Sequence, residues 1–343
     1  MVEEYGRIIE PKLDAFSSRL CKEAKKYHPF IGAAYDLAAE FLSRKGKRIA
    51  SCSTMLAYEG YGGKRDENIL DVCVAIELYR HSILLHDDLI DRDEERRGGK
   101  AFHKLFTGKF EDRFGEGLAV FYGNILFSQA LTTLLNAKFN KSRLEQAVRS
   151  LVENYCAVNE SQALDLLFEY KEPSVDEWKT MASKRAASLF RATMTIGAVL
   201  GGAPNKDLQI IKEAAACIGY SFDIQDDIID MFASEEQYGR PPGRDILLGK
   251  KPLHIVYAYQ LLEKDELKKL RQLIGTKKLD KERLEYVRES IRKCGALDKA
   301  KQVSKEYAGR AVELIEKTSM NLKAKNFFKD LIQFVSESLD WYK

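Results

Sequence analysis

The sequence predicts an all-α protein, one large helical bundle spanning residues 1–343. Three observations carry that prediction. Apolar residues recur at spacings of three and four, as in Leu70, Val74 and Leu78 and again in Leu144, Val148, Leu151 and Val152, the period of an amphipathic helix. Strand-like alternation is nearly absent, and no turn-linked runs of valine or isoleucine announce a sheet. The seven prolines fall at 11, 29, 173, 204, 241, 242 and 252, leaving residues 30–172 free of the residue that interrupts helices.

In order, the pattern predicts about a dozen helices. The first is 7–27. Between Pro29 and Pro173 come 31–44, 48–59, 66–91, 116–137 and 142–169, the last opening on Ser142 with Glu145 in capping-box spacing. Pro173 precedes Ser174 and Glu177, the same signal, which opens 174–202. Then follow 206–232, 252–262, 281–294, 296–318 and 324–341. No compositional shift marks a linker, so a single domain is expected. Two long charged loops stand out. Residues 92–115 contain Arg96-Arg97-Gly98-Gly99, and residues 233–251 contain Gly239-Arg240-Pro241-Pro242-Gly243-Arg244-Asp245 and Gly249-Lys250-Lys251. Loops of this length are usually functional or disordered. Their glycines and basic residues favour lids over a polyanion.

Hydrophobic residues make up 45% of the chain, enough for a substantial core, while a net charge of +3 is too balanced for a nucleic-acid surface. Cys21, Cys52, Cys73, Cys156, Cys217 and Cys294 are scattered without metal-ligand spacing and read as reduced core residues of a cytoplasmic protein. Charges interrupt the first residues, so no signal peptide is expected, and no apolar run is read as approaching the roughly 18 residues of a membrane span.

One acidic pattern occurs twice. His86-Asp87-Asp88-Leu89-Ile90-Asp91 and Gln225-Asp226-Asp227-Ile228-Ile229-Asp230 each put carboxylates at i, i+1 and i+4 in an apolar, helix-period segment. Residues i and i+4 share a helix face. Two carboxylates about 4 Å apart repel by roughly 4 kcal/mol at an effective dielectric near 20, a cost that makes sense when cations share the space. Oxygen-only ligands suit Mg²⁺, which takes one or two carboxylates plus substrate phosphates. One such trio alone reads as a solvated helix face; the repeat, each time followed by a basic, glycine-punctuated loop, reads as a clamp on diphosphate. Such a clamp stabilises charge on a departing diphosphate, and the carbocation left behind needs a dry apolar cavity.

These residues resemble the trans-isoprenyl diphosphate synthases, most of all the archaeal type that makes geranylgeranyl diphosphate. Asp87-Asp88-Leu89-Ile90-Asp91 with Arg96-Arg97-Gly98 is similar to the family's first aspartate-rich motif, and residues 222–230 are similar to the second. Gly46-Lys47-Arg48 resembles the early basic motif, and Gly249-Lys250 the lysine segment after the second aspartates. The resemblance implies the isoprenoid synthase fold around a central elongation cavity, usually as a homodimer. It also implies Mg²⁺-dependent ionisation of an allylic diphosphate, 1'-4 attack by isopentenyl diphosphate and loss of a proton. By position it assigns Asp87, Asp88, Asp91, Asp226, Asp227 and Asp230 to the metals, three ions with diphosphate bound. It assigns Arg96 and Lys250 to the allylic diphosphate, and Lys47 and Arg97 to isopentenyl diphosphate.

Several positions depart from the family pattern. Ala50 replaces an arginine and Arg80 a histidine, so a relocated arginine is expected to restore the charge of the isopentenyl diphosphate pocket; the bland reading pairs Arg80 with Glu77. Arg185-Ala186 replaces a lysine-threonine pair, Asp223 a glutamine and Arg240 a lysine. Loss of the threonine hydroxyl leaves diphosphate as the base for the final proton. Asp223 either adjusts the metals or pairs with Arg185. In this family the side chains four, five and eight before the first aspartate help form the cavity floor; here they are Ile83, Ser82 and Tyr79. Small Ser82 lets a chain pass and Tyr79 is the first bulky stop, with Phe121 and Tyr122 as further candidates. A product of about 20 carbons is expected, each added CH₂ gaining roughly 0.8 kcal/mol of burial.

Alternatives remain. One is a synthase of 25-carbon or longer products. Another is a non-catalytic subunit of a heteromeric synthase, against which the six costly acids argue. A histidine-aspartate phosphohydrolase needs more histidine ligands than His28, His81, His103 and His254 supply, and a class I terpene cyclase normally carries a different second motif. His28, His81 and His254 have no assigned role.

Overall fold

A computed structural model describes residues 2–44, 46–238, 241–276 and 279–337, and the chain is all-α apart from one two-residue-per-strand hairpin among the described residues. It divides into two compact units, Met1–Leu151 with Thr193–Ala203, and Val152–Ala192 with Pro204–Lys343.

The first unit contains α1 (Val2–Tyr27), α2 (Pro29–Ser43), α3 (Ile49–Gly60), α4 (Glu67–Ile90), the hairpin β1 (Glu95–Arg96) and β2 (Gly99–Lys100), a 3-10 turn (Phe102–Phe106) and α5 (Asp112–Leu135). α6 (Lys141–Tyr170) and α8 (Arg185–Gly201) contribute residues to both units. His28 finds a role at the start of α2: its Nδ1 accepts from the backbone N–H of Phe30, and Pro29 takes the first helical position. Asp66 caps α4 by accepting from the backbone of Asn68 and Ile69. α4 lies in the core, its residues from Ile69 to Leu85 mostly buried and packed on α3 and α5. The expected box at Ser142 is not what starts α6. Asn140 caps it instead, accepting from the N–H groups of Ser142 and Arg143.

The second unit adds α7 (Val175–Ala182), α9 (Asn205–Phe232), α10 (Glu235–Tyr238), α11 (Arg244–Leu248), α12 (Leu253–Leu261), α13 (Lys264–Leu273), α14 (Lys281–Lys293), α15 (Ala296–Lys317) and α16 (Leu322–Glu337). α9 packs on α15 and α16, and its Ile224, Ile228 and Met231 join Trp178, Met181, Ile255 and Val287 in one apolar core. Ser174 and Glu177 form the predicted capping box of α7. The predicted helix 174–202 is two helices, because the chain turns at Ser183 and Lys184, where the Lys184 N–H bonds back three residues to Met181 and the Ser183 hydroxyl to Thr180. That turn makes Arg185 the first residue of α8.

α5 corrects one expectation. Its composition and 24-residue length are those of a helix able to cross a membrane, although only a third of its apolar window is buried. Asn, Ser, Gln and Thr interrupt the apolar run without charge, which is why a search for consecutive apolar residues passes over it. Val120, Phe121 and Leu135 lie exposed on this helix.

Candidate functional site

In the first unit the aspartates sit where α4 ends. Asp87 and Asp88 occupy its last turn, and Asp91 is the C-cap, its N–H bonding to Asp87 O at 2.8 Å while the next N–H, of Arg92, bonds to Leu89 O at 3.2 Å. Asp88 is fully buried and Asp87 and Asp91 are half-buried. Arg96 reaches back from β1. Its Nε donates to Asp88 Oδ1 at 2.6 Å, its Nη2 also pairs with Asp88, and Nη2 lies 3.1 Å from Asp93 Oδ2 and 3.7 Å from Asp87 Oδ2. Burial still pushes the Asp88 carboxyl up to about 6 despite Arg96, while the three acids together raise the Arg96 guanidinium against the opposing effect of its own burial. Sequence reasoning missed Asp93, a buried acid that completes the arginine's set.

The stretch after these aspartates is no loose lid. Arg96 pairs with Gly99 and Glu95 with Lys100, and Arg97 and Gly98 between them have φ of +52° and +74°, the geometry of a type I′ hairpin. Arg44 fastens it. Buried against the Phe41 ring, its guanidinium donates to Arg96 O at 3.0 Å and Lys100 O at 2.8 Å, and to both carboxylate oxygens of Glu40.

The hairpin carries Arg97 into a cluster of cations. Gly46 packs directly over the Arg97 guanidinium, where an added Cβ would lie 2.8 Å from Arg97 Cζ. Arg48 is buried and donates to Glu77 Oε2 at 3.1 Å. Glu77, itself buried, also accepts from Ser51; burial pushes its carboxyl up, and neighbouring positive charge, the Arg48 guanidinium foremost among the arginines, with the Ser51 hydroxyl more than offsets that. Burial and then the Arg80 charge press Arg97 down to about 9. Arg80 thus lies close enough for its charge to be felt by both Arg97 and Glu77. Lys47 is exposed, and Ala50 is buried without a polar group to offer.

Of the chain-length candidates, Tyr79 is fully buried, its ring tilted 53° against Phe127 of α5 at 6.4 Å. Ser82 is buried with its hydroxyl turned onto Tyr79 O, and Ile83 is half-buried. Tyr122 is buried with its hydroxyl on Ile31 O, whereas Phe121 points out.

In the second unit, Asp223, Asp227 and Asp230 of α9 are buried and Asp226 is half-buried. Arg185 binds this face. Its Nη2 donates to both oxygens of Asp227 at 3.0 and 3.1 Å, Nε lies 3.1 Å from Asp223, and Nη1 lies 3.5 Å from Asp165. The pairing of Asp223 with Arg185 is therefore realised, and Asp223 also accepts from the Ala186 N–H at 3.3 Å. A close helix contact makes this possible: a Cβ at Gly219, one turn before Asp223, would fall 2.3 Å from the Ala187 Cα. Burial pushes Asp223 up to about 6 and Asp227 up to about 7, Arg185 opposing both. Asp165, on α6, was not foreseen. Burial alone would raise it, but Lys250 at 3.2 Å and Arg185 outweigh burial and hold it below the usual carboxylate range. A signal existed: Asp165 falls in the buried three-and-four stripe of Val158, Ser161 and Phe168. Asp230 accepts from the Asp245 N–H at 3.1 Å at the start of α11. Lys251 is committed to the carbonyls of Phe168, Glu169 and Gly249. Arg240 lies outside the described residues.

The donors are oxygen only, as Mg²⁺ requires. Among the described residues no three acids, histidines or cysteines converge tightly enough to hold a metal ion on their own. Asp88 Oδ2 is buried and has no hydrogen-bond partner among the described residues, an orphaned acceptor that a cation would satisfy.

Comparison with known proteins gives the family. The profile of the Polyprenyl synthetase family matches residues 33–291. A short chain isoprenyl diphosphate synthase of Methanocaldococcus jannaschii is 31% identical over 80% of this chain and 82% of its own. A geranylgeranyl diphosphate synthase of Methanosarcina mazei is 29% identical over 82% of this chain and 83% of its own. The crystal structure of a geranylgeranyl pyrophosphate synthase from Corynebacterium glutamicum, complexed with isoprenyl diphosphate and magnesium, superposes with a TM-score of 0.92 over 98% of this chain and 99% of that one; at 19% identity it speaks to the fold.

Proposed function

The chain belongs to the polyprenyl synthetase family and is an isoprenyl diphosphate synthase, and on that premise we propose that it condenses isopentenyl diphosphate with an allylic diphosphate to give geranylgeranyl diphosphate. The observation that carries the reading is the pair of buried carboxylate sets, one at the end of α4 and one on α9, each held by a single arginine.

Asp87, Asp88 and Asp91 in one unit, and Asp226, Asp227 and Asp230 in the other, are the residues that would hold Mg²⁺. When bound, the ions neutralise charge developing on the departing diphosphate. Arg96 and Lys250 bind the allylic diphosphate, while Lys47, Arg80 and Arg97 bind isopentenyl diphosphate. Arg185, Asp223 and Arg240 complete the substrate-binding residues, Arg185 and Asp223 setting the charge of the second acid set. The allylic C1–O bond breaks, C4 of isopentenyl diphosphate bonds to C1, and the C2 proton leaves to the released diphosphate. Ala186 offers no hydroxyl to take that proton, which favours diphosphate as the base. Tyr79, Ser82 and Ile83 set product length, with Tyr79 as the stop. A homodimer that covers Val120, Phe121 and Leu135 of α5 accounts for their exposure in the single chain.

The test is incubation of the purified chain with Mg²⁺, isopentenyl diphosphate and allylic primers of 5, 10 or 15 carbons. A 20-carbon diphosphate as the main product supports the reading. Products of 25 carbons or more overturn the length assignment, and no product from any primer overturns catalysis by the chain alone.

A further inference from the structure

Arg97 is an unusual arginine. It occupies the first central position of a type I′ turn, a left-handed conformation that suits asparagine or glycine and costs other residues on the order of 1 kcal/mol or more. Its guanidinium is largely buried beneath Gly46 in the neighbourhood of Arg48 and Arg80. Among the described residues it makes no ion pair with any carboxylate. Its hydrogen bond runs instead to an imidazole, from Nη1 to Nε2 of His81 at 3.3 Å.

His81 is fully buried on α4, with its ring edge-on to Phe41. Its Nδ1 lies 2.7 Å from the Glu77 carbonyl oxygen. A carbonyl only accepts, so Nδ1 carries the proton and donates it. Nε2 is then the bare nitrogen, and it accepts from Arg97. Burial and the Arg97 charge push the imidazole down to about 3, so it stays neutral in this seat.

We propose that His81 is a positioning residue that aims Arg97 at the diphosphate of isopentenyl diphosphate while leaving the arginine's charge undiminished. The chemistry explains the choice of residue. A carboxylate at 81 would hold Arg97 more tightly but cancel the charge the substrate needs. An aliphatic side chain would leave the guanidinium free to swing away from Arg80. A neutral acceptor, locked in one tautomer by the helix backbone, fixes direction without neutralisation. The inference rests on the reading of Arg97 as a ligand of isopentenyl diphosphate.

Steady-state kinetics of the full-length enzyme with Mg²⁺ test it, using His81→Leu, His81→Gln, His81→Glu and Arg97→Ala, each checked for folding by its thermal midpoint. Loss of aim should raise KM for isopentenyl diphosphate about tenfold in His81→Leu, with kcat and the primer KM within about twofold of the native enzyme. His81→Gln, which restores a neutral acceptor, should recover most of that loss. His81→Glu should bind isopentenyl diphosphate at least as poorly as His81→Leu. If His81→Leu fails to fold, the contrast between the Gln and Glu variants decides. Arg97→Ala raising that KM while His81→Leu leaves it unchanged overturns the positioning role alone, as does His81→Glu binding as well as the native enzyme. Arg97→Ala leaving the KM unchanged overturns the assignment of Arg97, and this inference with it.

Discussion

Replacing Arg185 with leucine strips the shared cation from Asp165, Asp223 and Asp227, three buried acids within 3.0 to 3.5 Å of it. One contact at about 3 Å is worth roughly 5 kcal/mol at an effective dielectric near 20. Desolvation of the ions cancels much of that attraction, and deleting one partner of a buried set typically costs about 3–5 kcal/mol. For a chain of this length that corresponds to a fall in Tm of about 5 °C. The loss should depend on pH. Asp223 and Asp227, raised by burial to about 6 and about 7, favour the fold while protonated. Their contribution is complete below about pH 4 and is lost as pH rises through those values. Without Arg185, which lowers both, they move further up and the loss reaches to higher pH. Asp165 keeps Lys250 as a partner. Thermal melts of native and variant protein at about pH 5.5 and pH 8 should therefore show a small deficit at the lower pH and a large one at the higher. An equal deficit at both would mean that Arg185 acts through packing, and would refute the electrostatic account.

Gly219→Ala should destabilise the protein by about 1–3 kcal/mol, seen as a lower Tm, because its Cβ would collide with the Ala187 backbone at 2.3 Å and push α8 away from α9. Gly46→Ala needs no unusual backbone, yet its Cβ would lie 2.8 Å from Arg97 Cζ; a several-fold higher KM for isopentenyl diphosphate at unchanged primer KM is expected, and an unchanged value would separate Gly46 from the pocket. Tyr79→Ala should cost about 3–5 kcal/mol and shift products beyond 20 carbons, with chain-length analysis as the check; an unaltered product would remove Tyr79 as the stop.

The helices were largely legible in the sequence because proline-free, three-and-four periodicity over 30–172 leaves little choice, and the second capping box lies in plain view at Ser174 and Glu177. The turn at Ser183 and Lys184 was not, since no proline or glycine marks it and its hydrogen bonds are local ones any residue can make. In the sequence the tight hairpin at Arg96-Arg97-Gly98-Gly99 reads as part of a long lid, because an arginine stands where asparagine would announce the turn, and Arg44, which fastens the hairpin, lies far along the chain at the end of α2. The aspartate trios were visible as a repeat. The supporting residues were visible only in part, because Asp165 meets Arg185 and His81 meets Arg97 through folding rather than through spacing along the chain.

The union of Arg48 with Glu77 bears on how this protein can change over generations. Each is almost wholly shielded from water, so a lineage that loses one first must pass through a form whose remaining charge keeps only weaker company, Glu10 at 3.7 Å for Arg48 or the Ser51 hydroxyl for Glu77, at up to about 3–5 kcal/mol. That burden rivals the entire margin by which many proteins stay folded. Descendants should therefore keep both or discard both, and a relative retaining one alone should reveal a substitute counter-charge nearby.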